Sequence, residues 1–275
     1  VLAENIACGL DPEKVTLYVQ SDVPEIPELY LMLNMLAYKG ELEKTASFKE
    51  KARAQPNNVN AGLLTYPTLM SADILIHKGN FVPVGKDQEQ HLEMARNFAQ
   101  RFNHRYGNTF PEPLPFNFGS DLVKIPGLDG KGKMSKSENE NATLYLNDTD
   151  ELIRKKVMKA VSGEAPQQPD SPKTPEIENL FQLMRLVSTD ETLTFFDQAY
   201  RQCTIRYGDM KKQLADDMVA FIGPVRDRSQ ALQQDVSYLM KVMKQGREKA
   251  RASASRTLTE ARKNMGINFY TGGGE

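Results

Sequence analysis

Residues 81–103 read FVPVGKDQEQHLEMARNFAQRFN, and this stretch decides the fold class. Phe81 to Val84 is a short apolar run suited to a strand, and Gly85 ends it. From Asp87 onward, Leu92, Ala95, Phe98, Phe102 and Tyr106 recur with the 3.6-residue period of an amphipathic helix. A strand that turns through glycine into a helix is half of a β-α-β crossover, the unit of parallel sheets.

The flanking segments continue the alternation. Upstream, residues 66–76 (YPTLMSADILI) predict an apolar helix ended by Gly79-Asn80, with Pro67 in its first turn, where a missing N–H costs least. Residues 29–38 have helical spacing up to Gly40, and a charged helix is expected over 41–54. Residues 15–20 (VTLYVQ) read as a buried strand, and residues 1–8 as the tail of a helix closed by Gly9. Downstream, 122–125 is a further strand candidate. The prediction is an α/β domain over residues 1–147.

The pattern changes at Asp148. Asp148-x-x-Glu151 reads as a capping box for the helix LIRKKVMKAV. Residues 166–175 (PQQPDSPKTP) cannot be helical, and everything after Glu176 has helical periodicity. A second, all-helical domain is therefore expected over 148–275.

Global charge is nearly balanced, 35 Lys+Arg against 36 Asp+Glu, which gives no support to indiscriminate coating of nucleic acid. Residues 241–265 nevertheless hold eight basic residues against Glu248 and Glu260, a local +6. Such a helix can meet phosphates, or can simply present a solvated face. No apolar run approaches the roughly 20 residues that cross a bilayer, so no membrane role is expected. Cys8 and Cys203 alone make no disulfide framework or zinc site, and no secretory segment opens the sequence. A cytoplasmic setting and no dedicated metal site are expected.

Three segments offer chemistry. Gly127 to Ser137, GLDGKGKMSKS, nearly matches a P-loop, but Met134 stands where magnesium-binding Ser or Thr is needed. What remains is a loop with Lys131, Lys133, Lys136, Ser135 and Ser137, able to neutralise polyphosphate charge. In VPVGKDQ (82–88), Gly85 lets a ligand approach the backbone near a helix start. There Asp87 fits a ribose ligand or a helix cap, and Gln88 could reach a substrate amino or carboxylate group. On the 66–76 helix, Tyr66, Met70 and Asp73 fall at i, i+4 and i+7 on one face. Asp73 is either a buried carboxylate seeking a partner or a boundary residue facing solvent.

The string KMSKS at 133–137 is the second signature of class I aminoacyl-tRNA synthetases. GELEKTASFKEKA, AGLLTYPTLMSADIL, VPVGKDQEQHLEMARNFAQRFN and EKARASASRTL accompany it in order. Together they resemble the bacterial tryptophanyl-tRNA synthetase family across nearly the whole chain; the tyrosine branch shares the G-x-D-Q and KMSKS logic. The resemblance implies a Rossmann-like catalytic domain, incomplete at its N-terminus, followed by a helical domain reading the tRNA anticodon region. It implies ATP with magnesium, L-tryptophan and tryptophan tRNA as ligands, and a homodimer formed around residues 29–38 and the segment after them. Tryptophan contacts are expected at Tyr66, Met70, Asp73, Val82, Val84 and Gln88. Nucleotide contacts are expected at Gly85, Lys86, Asp87, Ile125, Lys133, Met134, Ser135, Lys136 and Ser137. Lys133, Ser135, Lys136 and Lys51 would act on the phosphates.

An indole N–H only donates, so a pocket that selects it needs a buried acceptor, the role expected of Asp73. The family's earlier HIGH-like signature has no counterpart in this sequence. His77-Lys78-Gly79-Asn80 follows a helix and precedes a strand, the reverse of the required order. His91 and His104 are expected to be structural, with His91 able to sit behind Gln88. The expected activity is tryptophan–tRNA ligation through tryptophanyl-adenylate. These 275 residues alone are expected to adenylate weakly or not at all. The alternatives are a tyrosine-specific relative and a non-catalytic tRNA-binding fragment.

Overall fold

The computed structural model describes residues 1–116, 125–130, 132–135 and 139–267. In chain order the elements are α1 (Leu2–Ala7), α2 (Glu25–Asn34), α3 (Lys39–Leu42), α4 (Ala46–Ala54), α5 (Ala61–Leu75), β1 (Phe81–Pro83), α6 (Glu89–Tyr106) and β2 (Leu114–Phe116). Then come α7 (Asp150–Met158), α8 (Pro175–Val187), α9 (Asp190–Arg201), α10 (Tyr207–Gln234) and α11 (Val236–Met265). β1 and β2 pair in parallel, Val82 opposite Pro115, with α6 as the crossover between them. The α/β prediction from residues 81–103 holds, and helices dominate the rest. No described helix is long and apolar enough to cross a membrane.

Packing divides the chain into two units: Pro12–Leu122 with Met240–Glu275, and Val1–Asp11 with Val123–Leu239. In the first unit, Ile26, Leu29 and Leu33 of α2, Ala72 and Leu75 of α5, and Phe98 and Phe102 of α6 are buried together. Ala250, Ala254 and Ala261 of α11 join them. Their small side chains let α11 lie close, and at Gly246 an added Cβ would land on the Leu17 carbonyl. Glu25 meets Arg251 at 3.2 Å, and Glu28 meets Arg262. Two of the eight basic residues of 241–265 are thus engaged by α2. The second unit buries Ile153, Ile177, Phe181, Met184, Tyr200 and Leu214 from α7 to α10.

Several local predictions need correction. Residues 15–20 form no strand: Val15 and Val19 are exposed, and Gln20–Asp22 is a 3-10 turn. The segment lays its backbone against Gly246 of α11, so its β-branched residues never enter a ladder. α5 begins five residues before Tyr66, because the Asn60 side chain accepts from the Leu63 N–H and caps it there. Pro67 is therefore inside the helix, and Ser71 Oγ donates to the Pro67 carbonyl at 2.8 Å. The charged helix of 41–54 is broken into α3 and α4, and Gly40 lies within α3. The cap of α7 is Thr149, not Asp148. Asp148 is buried in an ion pair with Lys156 at 2.7 Å. The strand candidate 122–125 lies outside the described residues except for Ile125, which is not in a strand.

Candidate active site

Helical spacing on α5 places Tyr66, Met70 and Asp73 along one face, and all three are half-buried. Asp73 is met by a residue the sequence did not single out. Gln20 Nε2 donates to both of its carboxylate oxygens, at 2.7 and 2.8 Å. Burial pushes the Asp73 carboxyl above its ordinary range, while the Gln20 hydrogen bond and the nearby His77 pull it down. Tyr18 OH and His77 Nε2 lie 2.9 Å apart, their rings edge to face. Burial holds His77 below its ordinary value against the opposing pull of Asp73. His77 thus has a structural partner and lies on no strand-to-helix turn, as the order of elements required.

At the other end of that face, Tyr66 OH donates to Ser47 Oγ of α4 and lies 2.9 Å from His91 Nε2. His91 Nδ1 is 3.1 Å from Gln88 Oε1, and Gln88 Nε2 donates to Asp87 Oδ2 at 2.9 Å. Tyr66 and Gln88, predicted as a pair, are therefore joined through His91, which is only 3% exposed. Lys51 Nζ sits 4.7 Å above the Tyr66 ring, a cation–π contact. It opens onto a cleft of ≈ 450 Å³ lined also by Gln55, Asn58, Asn60 and Tyr66.

The turn after β1 explains its glycine. A Cβ on Gly85 would stand 2.7 Å from Asp87 Oδ1, so the absence of a side chain here leaves room for the carboxylate to fold back over the turn. Lys86–Gln88 is a 3-10 turn that leads into α6. Lys86 is exposed, and Val82 and Val84 are half-buried.

The signature loop belongs to the other unit. Met134 N–H donates to the Ile125 carbonyl at 2.7 Å, and Pro126 and Lys133 form an antiparallel bridge. Gly130 and Gly132 take φ of +70° and +65°, values that favour glycine and allow this tight return. Thr143 Oγ1 donates to the Ser135 carbonyl at 2.9 Å, and Lys156 Nζ donates to the Thr143 carbonyl at 2.8 Å. Lys133 and Ile125 are exposed, and Met134 leans on the helical core. Lys136 and Ser137, like Lys131, lie outside the described residues.

Gln20, Ser47 and His91 are the residues that sequence reasoning missed or undervalued. Gln20 closes a β-rich run 53 positions from its partner and carries no local signal. Ser47 sits within the GELEKTASFKEKA string, but only the packing of α4 on α6 gives it a role.

A parallel strand pair with a glycine turn, and Lys133–Ser135 of the KMSKS string returning against Ile125–Pro126, fit a class I synthetase architecture. The chain belongs to the family of class I tRNA synthetases for W and Y, whose profile matches residues 1–223. It is 60% identical over 268 residues to a tryptophan–tRNA ligase of Porphyromonas gingivalis, covering 97% of this chain and 81% of that protein. A tryptophan–tRNA ligase of Clostridium tetani is 38% identical, with 97% and 78% covered. Among solved structures, tryptophanyl-tRNA synthetase from Campylobacter jejuni, complexed with ADP and tryptophan, superposes with a TM-score of 0.84. It is 30% identical, with 96% of this chain and 81% of that chain covered. A tyrosyl-tRNA synthetase from Aeropyrum pernix shares the fold alone, at a TM-score of 0.57 and 17% identity.

Proposed function

We propose that this chain ligates L-tryptophan to its cognate tRNA, using ATP to form tryptophanyl-adenylate. The observation that carries the reading is Asp73, an acceptor-only carboxylate half-buried on the face that also bears Tyr66 and Met70. It suits an indole N–H, which only donates. Met70 offers an adaptable thioether to the ring, and Val82 and Val84 add apolar surface. Tyr66 and Gln88 meet the amino group. The names of the relatives agree with tryptophan, and no observation favours tyrosine.

No protein nucleophile is needed. The substrate carboxylate attacks the α-phosphorus and pyrophosphate leaves; a ribose hydroxyl of the tRNA's terminal adenosine then takes the acyl group and AMP leaves. Gly85, Lys86, Asp87 and Ile125 serve the nucleoside. Lys133, Met134, Ser135, Lys136 and Ser137 serve the phosphates, and Lys51 the pyrophosphate. Magnesium would travel with ATP. Among the described residues no group of three His, Cys, Asp or Glu could hold an ion of its own.

The helices after residue 148 contact tRNA, and the exposed Leu31, Met35 and Tyr38 suit a homodimer surface in the cytoplasm. Charging of bulk tRNA by the native protein tests the reading: labelled tryptophan should be transferred and tyrosine should not. Transfer of tyrosine, or of neither, would overturn it.

A further inference from the structure

The middle of the KMSKS string is held by a segment that follows it in the chain. Leu144 N–H donates to the Met134 thioether at 3.3 Å, and Met134 packs on the helical core of its unit. The single hydroxyl proton of Thr143 is shared between the Ser135 carbonyl at 2.9 Å and the Asn139 carbonyl at 3.0 Å. Thr143 is only 6% exposed, so little water competes for that proton. Thr143 is fixed in turn by a buried cation. Lys156 Nζ, on α7, donates to the Thr143 carbonyl at 2.8 Å and to Asp148 Oδ2 at 2.7 Å, and lies 4.8 Å from the centre of the Tyr145 ring. The same Asp148 oxygen accepts the Tyr145 N–H at 3.0 Å, and Arg226 of α10 donates to the Asp148 carbonyl at 3.0 Å. Contacts thus run from α10 and α7 through Asp148, Lys156 and Thr143 to the Ser135 backbone. Shifting any link strands a buried donor, acceptor or charge.

We propose that Thr143 and Lys156 are positioning residues for the phosphate step. Thr143 sets where the Met134–Ser135 backbone lies, and so where the Lys133 and Ser135 side chains begin; Lys156 sets Thr143. The proposal rests on the phosphate role given above to Lys133 and Ser135, and adds the seat on which they stand. Donors held in place stabilise developing charge because they need no rearrangement as it forms. A loosened seat therefore costs use of ATP and leaves tryptophan binding alone.

The test is Thr143→Val, which keeps the outline of the side chain and removes the proton, read in ATP–pyrophosphate exchange by the native protein. The kcat/KM for ATP should fall about 3- to 10-fold, the scale of one neutral hydrogen bond, while the KM for L-tryptophan stays unchanged. Thr143→Ser, which returns the hydroxyl, should recover most of the loss. An unaltered ATP dependence, an equal fall for both substrates, or a serine variant as impaired as the valine one would overturn the seat and leave the tryptophan reading intact. Failure of the unaltered protein to exchange would bring down both. Amide hydrogen exchange on the full chain reads the seat without catalysis. The Leu144 N–H should be protected in the unaltered chain and exchange about 3- to 10-fold faster in Thr143→Val. The Ile153 N–H of α7, bonded to the Thr149 carbonyl at 2.9 Å, should keep its rate. A Leu144 amide as fast as an unstructured peptide in the unaltered chain, or Leu144 and Ile153 accelerated alike, would overturn the proposal.

Discussion

Gln20 holds Asp73 from 53 residues away, its single amide nitrogen bridging both carboxylate oxygens at 2.7 and 2.8 Å. The bond supports a charge that burial opposes, since burial raises the Asp73 carboxyl and Gln20 lowers it. Gln20→Met should therefore raise that carboxyl further. Tryptophan affinity followed against pH should then fail on the acid side at a higher pH than in the unaltered protein. An unchanged acid limb would remove Gln20 from the site.

Selection of the indole N–H makes a sharper prediction. Asp73→Ala should weaken L-tryptophan by about 10- to 100-fold, the range of a hydrogen bond to a charged group. It should leave 1-methyltryptophan, which has no N–H to offer, nearly as it was. A parallel loss for both ligands would assign Asp73 to shape rather than donor recognition.

The buried Lys156–Asp148 pair ties α7 to the segment behind the signature hairpin, both side chains about 8% exposed. Removing one partner strands the other's charge. Lys156→Met should cost about 3–5 kcal/mol in urea unfolding, and the double change with Asp148→Leu should cost less than the single one. A double cost equal to the sum of the two single costs would mean that the pair is not coupled.

Legibility of the sequence followed the range of the interactions. The strand–glycine–helix at 81–106 declares itself because Phe98 and Phe102 repeat on one buried face and Gly85 has a local reason to be glycine. The Tyr66–Met70–Asp73 face was legible for the same reason, through helical spacing. Residues 15–20 misled because VTLYVQ has strand composition, yet packing against α11 decides its conformation. The start of α5 was missed because Asn60 caps it ahead of the apolar run. Val82 and Val84 could be placed beside the glycine turn, but Gln20 and Ser47 could not be found. Their partners come from other elements, and no spacing rule connects them.

That packing gives a stability prediction. Gly246→Ala would drive a methyl into the Leu17 carbonyl and displace the segment that carries Gln20. A loss of about 3 kcal/mol is expected, at the upper end for overpacking, and tryptophan affinity should fall with it. A variant as stable as the original would show that α11 has room to move.

Stability should also fall as the solution is acidified. His77 and His91 are both held below the ordinary 6.5 by burial, so the unfolded chain takes up protons first. Their contribution is intact above that value and is lost as pH drops below it. The urea midpoint should be lower at about pH 5.5 than at about pH 7.5, with a shallower dependence in His91→Gln, since one such histidine is gone. A midpoint that rises on acidification would contradict this assignment.

The central claim is that this chain selects tryptophan through the Asp73 face, and calorimetric titration with L-tryptophan and L-tyrosine in parallel tests it most directly. Saturable binding of tryptophan, with tyrosine at least about 100-fold weaker, is the predicted result. Equal affinity for the two, or preference for tyrosine, would contradict the account.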